Sequence, residues 1–186
     1  MTSRKPETVS YRRKREQKTD YTKRMQLLVS RKPRVVVRIT NKHIIAQLVE
    51  FTTSGDKVLV GVNSSDLKEQ GWLYSCKNIP AAYLTGLLLG KAAQKKGYKE
   101  GILDTGFQTP QRKGKLYAFL KGVLDAGLKV PHGDDEVFPS LERLSGKHVQ
   151  DSYHQRKGQQ FTQYLKMNAQ PEKVQEKFEQ LRKKLQ

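Results

Sequence analysis

The sequence predicts a single α/β domain on a mixed sheet, an antiparallel three-stranded meander plus a parallel strand, with a basic N-terminal arm and a C-terminal helical extension. Three observations predict it. Apolar runs between Arg34 and Val62 are separated by tight turns, the stretch from Ile79 to Leu128 reads helix, strand, helix, and residues 1–22 carry cations in place of aliphatic side chains. At 186 residues the chain suits one core-bearing domain with tails. The expected boundaries are an arm over 1–22, the α/β domain over 23–130, and an irregular extension over 131–186 that ends in a helix.

Composition points to a polyanionic partner. The 36 Lys and Arg residues face 18 acids, giving a formal charge of +18 and a pI near 10.0, while the apolar fraction of 35% lies below the globular norm of roughly 45–50%. Residues 1–34 alone hold 12 cations against 3 acids, a local charge of +9. Such a density repels itself and gains nothing from a core, so it needs neutralising, most commonly by nucleic-acid phosphate.

Residues 1–22 show neither helical nor strand period and read as disordered until they meet a target. Tyr11 and Tyr21 lie among the cations, where a ring can stack on an unpaired base. A short helix is expected over Tyr21–Val29 with Met25, Leu28 and Val29 inward, ended by the linker from Ser30 to Pro33. Arg34 to Thr40 is a strand: Val35, Val37 and Ile39 point one way and Val36, Arg38 and Thr40 the other, so Arg38 projects from a face that need not be buried. Asn41-Lys42 connects to a second run, His43 to Thr53, whose apolar residues on both faces place it inside the sheet. Ser54-Gly55-Asp56 turns into Val58–Val62.

Residues 63–78 are loop and turn, with Trp72 as a packing anchor and Asn78 preceding a helix that opens near Ile79-Pro80. Its buried stripe is Ile79, Tyr83, Leu84, Leu87, Leu88 and Ala92, and Gly97 stops it. Gly86 and Gly90 suggest close packing against the sheet. Gly101 to Asp104 is a short strand, and the helix, strand, helix order makes it parallel to a neighbour. A second helix spans about Lys113 to Leu128, with Leu116, Leu120, Val123 and Leu124 inward and Phe119 at the flank. Its cationic start, Arg112, Lys113 and Lys115, opposes the helix dipole and hints at an anionic partner. From Pro131 the pattern weakens until Pro171 opens a final helix whose stripe, Val174, Phe178, Leu181 and Leu185, docks on a neighbour or the domain's flank.

Catalytic chemistry finds little support. Asp134, Asp135 and Glu136 are adjacent and Asp104 ends a strand, but consecutive loop acids do not converge on a metal as strand-borne carboxylates do. The four histidines lack zinc spacing, no phosphate-binding loop or nucleophile elbow appears, and no cofactor is expected. The lone Cys76 excludes an internal disulfide and fits a reducing compartment. No apolar stretch follows the N-terminal cations, and Ile79 to Ala93 is too short to span a membrane, so the expectation is a cytosolic protein without a membrane role.

Several segments together resemble one family. RRKREQKTDYTKR, KPRVVVRITNKHIIAQLVE, ILDTG, RKGKLYAFLKGVLDAGLKVPHGDDEVFP and ERLSGKHV look like the L-eighteen family of large-subunit ribosomal proteins, in its archaeal and eukaryotic branch. The likeness covers about residues 10–150 and is weaker over 155–186. It implies helices packed on one side of the sheet, a non-enzymatic role, and a 5S rRNA-binding function that helps attach 5S rRNA to large-subunit rRNA in the central protuberance. It implies neighbouring ribosomal proteins as partners and no homo-oligomer. Carried over by position, Arg12, Arg13, Lys14, Arg15, Lys18 and Tyr21 become RNA contacts from the first motif, and Arg34, Arg38, Asn41, Lys42 and His43 from the second. Lys23, Arg24, Arg31 and Lys32, in the same basic stretch, and Arg112, Lys113 and Lys115 complete the candidate set. Two other readings stay open at this point: a nonspecific nucleic-acid-compacting protein, and an RNA-processing enzyme dependent on Asp104 or Asp135.

Overall fold

The computed structural model describes residues 8–155, 161–166 and 169–185. Residues 1–7 of the basic arm, with Arg4 and Lys5, lie outside them.

The strands are β1 (Arg34–Ile39), β2 (Ile44–Thr52), β3 (Gly55–Asn63) and β4 (Ile102–Asp104), in the order β3-β2-β1-β4. β1 pairs antiparallel with β2 through Val35↔Leu48 and Val37↔Ala46, and β4 joins it on the other side in parallel, with Val35↔Leu103. The expected meander and parallel strand are therefore both present. Alternation sends Val35, Val37, Ile44, Ala46 and Leu48 to one face, where all are fully buried. It sends Arg34, Val36, Arg38 and Asp104 to the other.

Helices cover the first face. α3 (Asp66–Glu69) and the loop carrying Trp72 lead to α4 (Ile79–Lys95), and Trp72 is fully buried as an anchor. Asn78 caps α4, its side-chain oxygen accepting from the Ala81 N–H at 2.9 Å, and Gly97 ends it with φ +84°. α4 packs on β2 and β3 and also on α5 (Lys115–Asp125), so it is buried almost all round. Gly86 and Gly90 serve that second contact. A Cβ on Gly86 would collide with the Phe119 carbonyl and one on Gly90 with the Ala126 side chain, while Gly122 approaches the Tyr83 carbonyl reciprocally. The glycines thus join two helices, not helix to sheet, and Phe119 is fully buried between them rather than flanking.

The arm carries one helical turn, α1 (Arg12–Arg15), followed by α2 (Tyr21–Val29). The residues expected to be disordered from 8 to 22 hold this shape through local bonds: the Tyr11 carbonyl accepts from Lys14 and Arg15 N–H, and Asp20 caps α2 through the Lys23 N–H at 3.1 Å. α2 has its expected span but not its expected face. Met25 and Val29 are exposed and only Leu28 of the three is half-buried. Polar anchors, described below, orient the helix in place of an apolar stripe.

The stretch from 131 is more regular than expected. It forms a 3-10 turn (Asp135–Val137), α6 (Leu141–Ser145), α7 (Lys147–Gln155), α8 (Thr162–Lys166), a second 3-10 turn (Pro171–Lys173) and α9 (Val174–Leu185). α6 and α8 have only five residues each, too few to show a period. α9 docks on the domain's flank, burying Val174, Phe178 and Leu181, with the Phe178 ring 5.4 Å from that of Tyr83 on α4.

Candidate nucleic-acid interface

The sheet's second face carries no helix of the core, and α2 crosses it. Three arginines and two aspartates meet there. Arg34 donates to Asp104 at 2.8 Å and to Asp56 at 2.7 Å, and Arg24 holds Asp56 through both nitrogens at 2.8 Å. Arg38 donates to the Asp104 carboxylate at 3.2 Å and to its carbonyl at 2.9 Å. Lys23 reaches the Thr105 hydroxyl at 3.0 Å and the Gly106 carbonyl at 3.1 Å. Alternation explains the meeting: Arg34 and Arg38 are four apart on β1, Asp104 pairs opposite Val36, and Asp56 is the second residue of β3, two strands away.

The electrostatics follow from this arrangement. Burial by itself would raise the Asp56 carboxyl, but hydrogen bonds from Arg24 and then Arg34 outweigh it and hold it below the usual carboxylate range. Burial opposes ionisation of Asp104 as well, and the Arg38 charge, the Gly106 N–H and Arg34 overcome it. Both aspartates are therefore anions at neutral pH, and three guanidinium groups on two carboxylates leave a positive balance.

The candidate residues fall into five places. Arg12, Arg13, Lys14, Arg15 and Lys18 are exposed on and after α1. Glu16 accepts from Arg12 at 2.7 Å and pairs with Lys18 at 2.8 Å, Arg13 donates to the Thr19 hydroxyl at 2.9 Å, and the Tyr21 ring lies 5.2 Å from that of Tyr11. On the sheet face, Lys23, Arg24 and Arg38 remain partly exposed, whereas Arg34 is 3% exposed and engaged by two carboxylates. Arg34 has no open side for a phosphate; it supports the others.

Asn41, Lys42 and His43 form the β1–β2 turn, shaped by Thr40, whose hydroxyl accepts the His43 N–H at 2.9 Å. Lys115 opens α5, while Arg112 and Lys113 lie exposed in the turn before it, so only one of the three sits in the helix's first turn. Gln108 ties that loop to the same end of β1, accepting the Ile39 N–H and donating to its carbonyl at 2.7 Å. Arg31 and Lys32 stand apart at the opposite end of β1, where Lys32 pairs with Glu100 at 2.6 Å.

Sequence reasoning missed Asp56 as an anchor and read Asp104 as a conceivable metal ligand; the structure spends its carboxylate on Arg34 and Arg38. The available signal was strand alternation, which puts Asp104 on the face of Arg34 and Arg38. Lys68 and Lys77 were also passed over, and the fold sets both beside the Asn41–His43 turn. Among the described residues, no group of three or more His, Cys, Asp or Glu stands together as a metal site, and no helix is long and apolar enough to cross a membrane.

Comparison with known proteins agrees with the arrangement. The family described as "Ribosomal large subunit proteins 60S L5, and 50S L18" matches residues 6–101, which take in the arm, the meander and α4. The large ribosomal subunit protein uL18 of Korarchaeum cryptofilum is 46% identical over 177 residues, covering 92% of this chain and 90% of that protein. The uL18 of Methanosphaera stadtmanae is 44% identical over 181 residues, covering 95% and 93%. A likeness of this depth through arm, sheet and extension makes the chain a member of the L5/L18 family of large-subunit ribosomal proteins, structural constituents of the cytoplasmic ribosome rather than enzymes.

Proposed function

We propose that the chain binds 5S rRNA and helps attach it to large-subunit rRNA in the central protuberance, beside neighbouring ribosomal proteins. One observation carries the reading: a cation-dense arm is moored to a rigid sheet face by the Arg24–Asp56 and Lys23–Thr105 contacts, adjacent to the partly exposed Arg38. A moored arm presents its charges at fixed spacing and so recognises the backbone path of one structured RNA, which a free polycation cannot. In this division, residues 8–22 supply phosphate contacts and the Tyr11–Tyr21 ring pair, the sheet domain supplies the frame, and Arg34 acts through Asp56 and through Asp104, which it shares with Arg38.

Salt titration of 5S rRNA binding tests the reading. Each arm cation on a phosphate adds about 0.7–0.9 to the magnitude of the slope of log affinity against log salt, the range from single strands to duplex DNA. Arg13→Ala/Arg15→Ala therefore lowers the slope by about 1.4–1.8. An unchanged slope would remove the arm from the interface.

A further inference from the structure

The C-terminal extension closes a second concave surface, lined by none of the described arm residues. The Tyr164 hydroxyl accepts the Ser75 N–H at 3.2 Å, the Tyr74 hydroxyl donates to the Gln170 carbonyl at 2.6 Å, and the two rings meet edge to face at 5.6 Å. These bonds pin the extension against the loop after α3. Between it and the Asn41–His43 turn runs a groove of about 650 Å³, within the usual range of ligand sites.

Its lining is cationic and aromatic. Lys42, Lys68 and Lys77 are exposed along it and no carboxylate among the described residues lines it. His43 stands half-buried among them. On the opposite wall the half-buried Phe161 ring lies 5.9 Å from that of Tyr164. Three lysines around an aromatic wall match an unpaired nucleotide: ammonium groups for its phosphates and a ring face for its base. An acidic peptide would satisfy the lysines and leave the rings without a role.

We infer that this groove is a socket for an unpaired nucleotide of ribosomal RNA, a second RNA contact of this chain separate from the arm and the sheet face. The inference rests on the RNA-binding reading above. It also gives the extension a task, since α8 supplies one wall of the socket.

The test uses the full chain and a nine-nucleotide oligouridylate with one central 4-thiouridine, crosslinked by long-wavelength light and mapped by mass spectrometry. Crosslinks to Phe161 or to peptides containing Lys77, lost in Lys68→Ala/Lys77→Ala, are expected. Both lysines are exposed, so an unchanged melting temperature checks the fold of that variant. With 5S rRNA, the same variant lowers the salt slope by about 1.4 if two single-strand phosphates are released, and Phe161→Leu weakens binding by roughly tenfold through the lost stack. Crosslinks confined to residues 11–24, with 5S rRNA affinity and slope unchanged in the groove variants, overturn the socket. Arg13→Ala/Arg15→Ala separates the two readings: if it reduces the slope while the groove variants do not, the arm interface stands and the socket falls.

Discussion

Asp104→Asn strikes the support beneath the interface. The carboxylate serves Arg34, Arg38 and the Gly106 N–H together, and it is 6% exposed. The amide keeps the size but loses the charge, leaving Arg24 and Arg34 on Asp56 and Arg38 with backbone carbonyls in place of a carboxylate. Removing one partner of a buried ion pair costs about 3–5 kcal/mol, and Asp56's continued hold on Arg34 places this case at the lower end, about 3 kcal/mol. In a chain of this size about 1 kcal/mol moves Tm by roughly 2–4 °C, so the loss is roughly 6–12 °C. Thermal melting followed by circular dichroism at neutral pH measures it. The acid limb gives a second check. Because the folded-state carboxyl lies below its ordinary 3.8, its contribution is complete above that value and disappears as pH falls through the folded one. The gap between wild type and Asp104→Asn therefore stays constant down to about pH 5 and closes on further acidification. A Tm loss under about 2 °C, or a gap that widens in acid, would refute the reasoning.

Other substitutions probe the frame and the mooring. Gly122→Ala drives a Cβ into the Tyr83 carbonyl, where backbone faces backbone and cannot yield, so it costs about 1–3 kcal/mol or more in urea unfolding. Phe178→Ala opens a cavity between α9 and α4 and costs about 3–5 kcal/mol by the same measurement. Arg24→Ala removes a partly exposed pair worth about 0–1 kcal/mol, so melting barely changes. Its 5S rRNA affinity nonetheless falls roughly 2–12-fold, measured by filter binding, because α2 and the arm lose their preset position.

What was legible in the sequence follows from period. β1 alternates strictly, and its run of Val and Ile identified the strand and the open side of Arg38; the helix, strand, helix order identified β4 as parallel. Charge density could not sort the cations. Arg12 and Arg34 look equivalent in a basic run, yet one lies in solvent and the other is buried against an aspartate 70 residues away in sequence. α2 was misfaced for a related reason: Met25 and Val29 keep a helical spacing, but hydrogen-bonded anchors at Lys23 and Arg24 decide which side meets the sheet. Gly86 and Gly90 announced a close approach without naming the partner, since a missing Cβ fits a sheet or a helix alike. α6 and α8 are too short to show a period, and tertiary contacts of α6 with α4 and of α8 with the Trp72–Cys76 loop stabilise them.

Competition between 5S rRNA and a tRNA of similar charge, across a salt series, tests the central claim most directly, using the full chain and a version lacking residues 1–22. A preference for 5S rRNA that survives moderate salt and collapses on truncation is the predicted result. Equal affinity for both RNAs at every salt would reduce the arm to a nonspecific polycation and contradict the account.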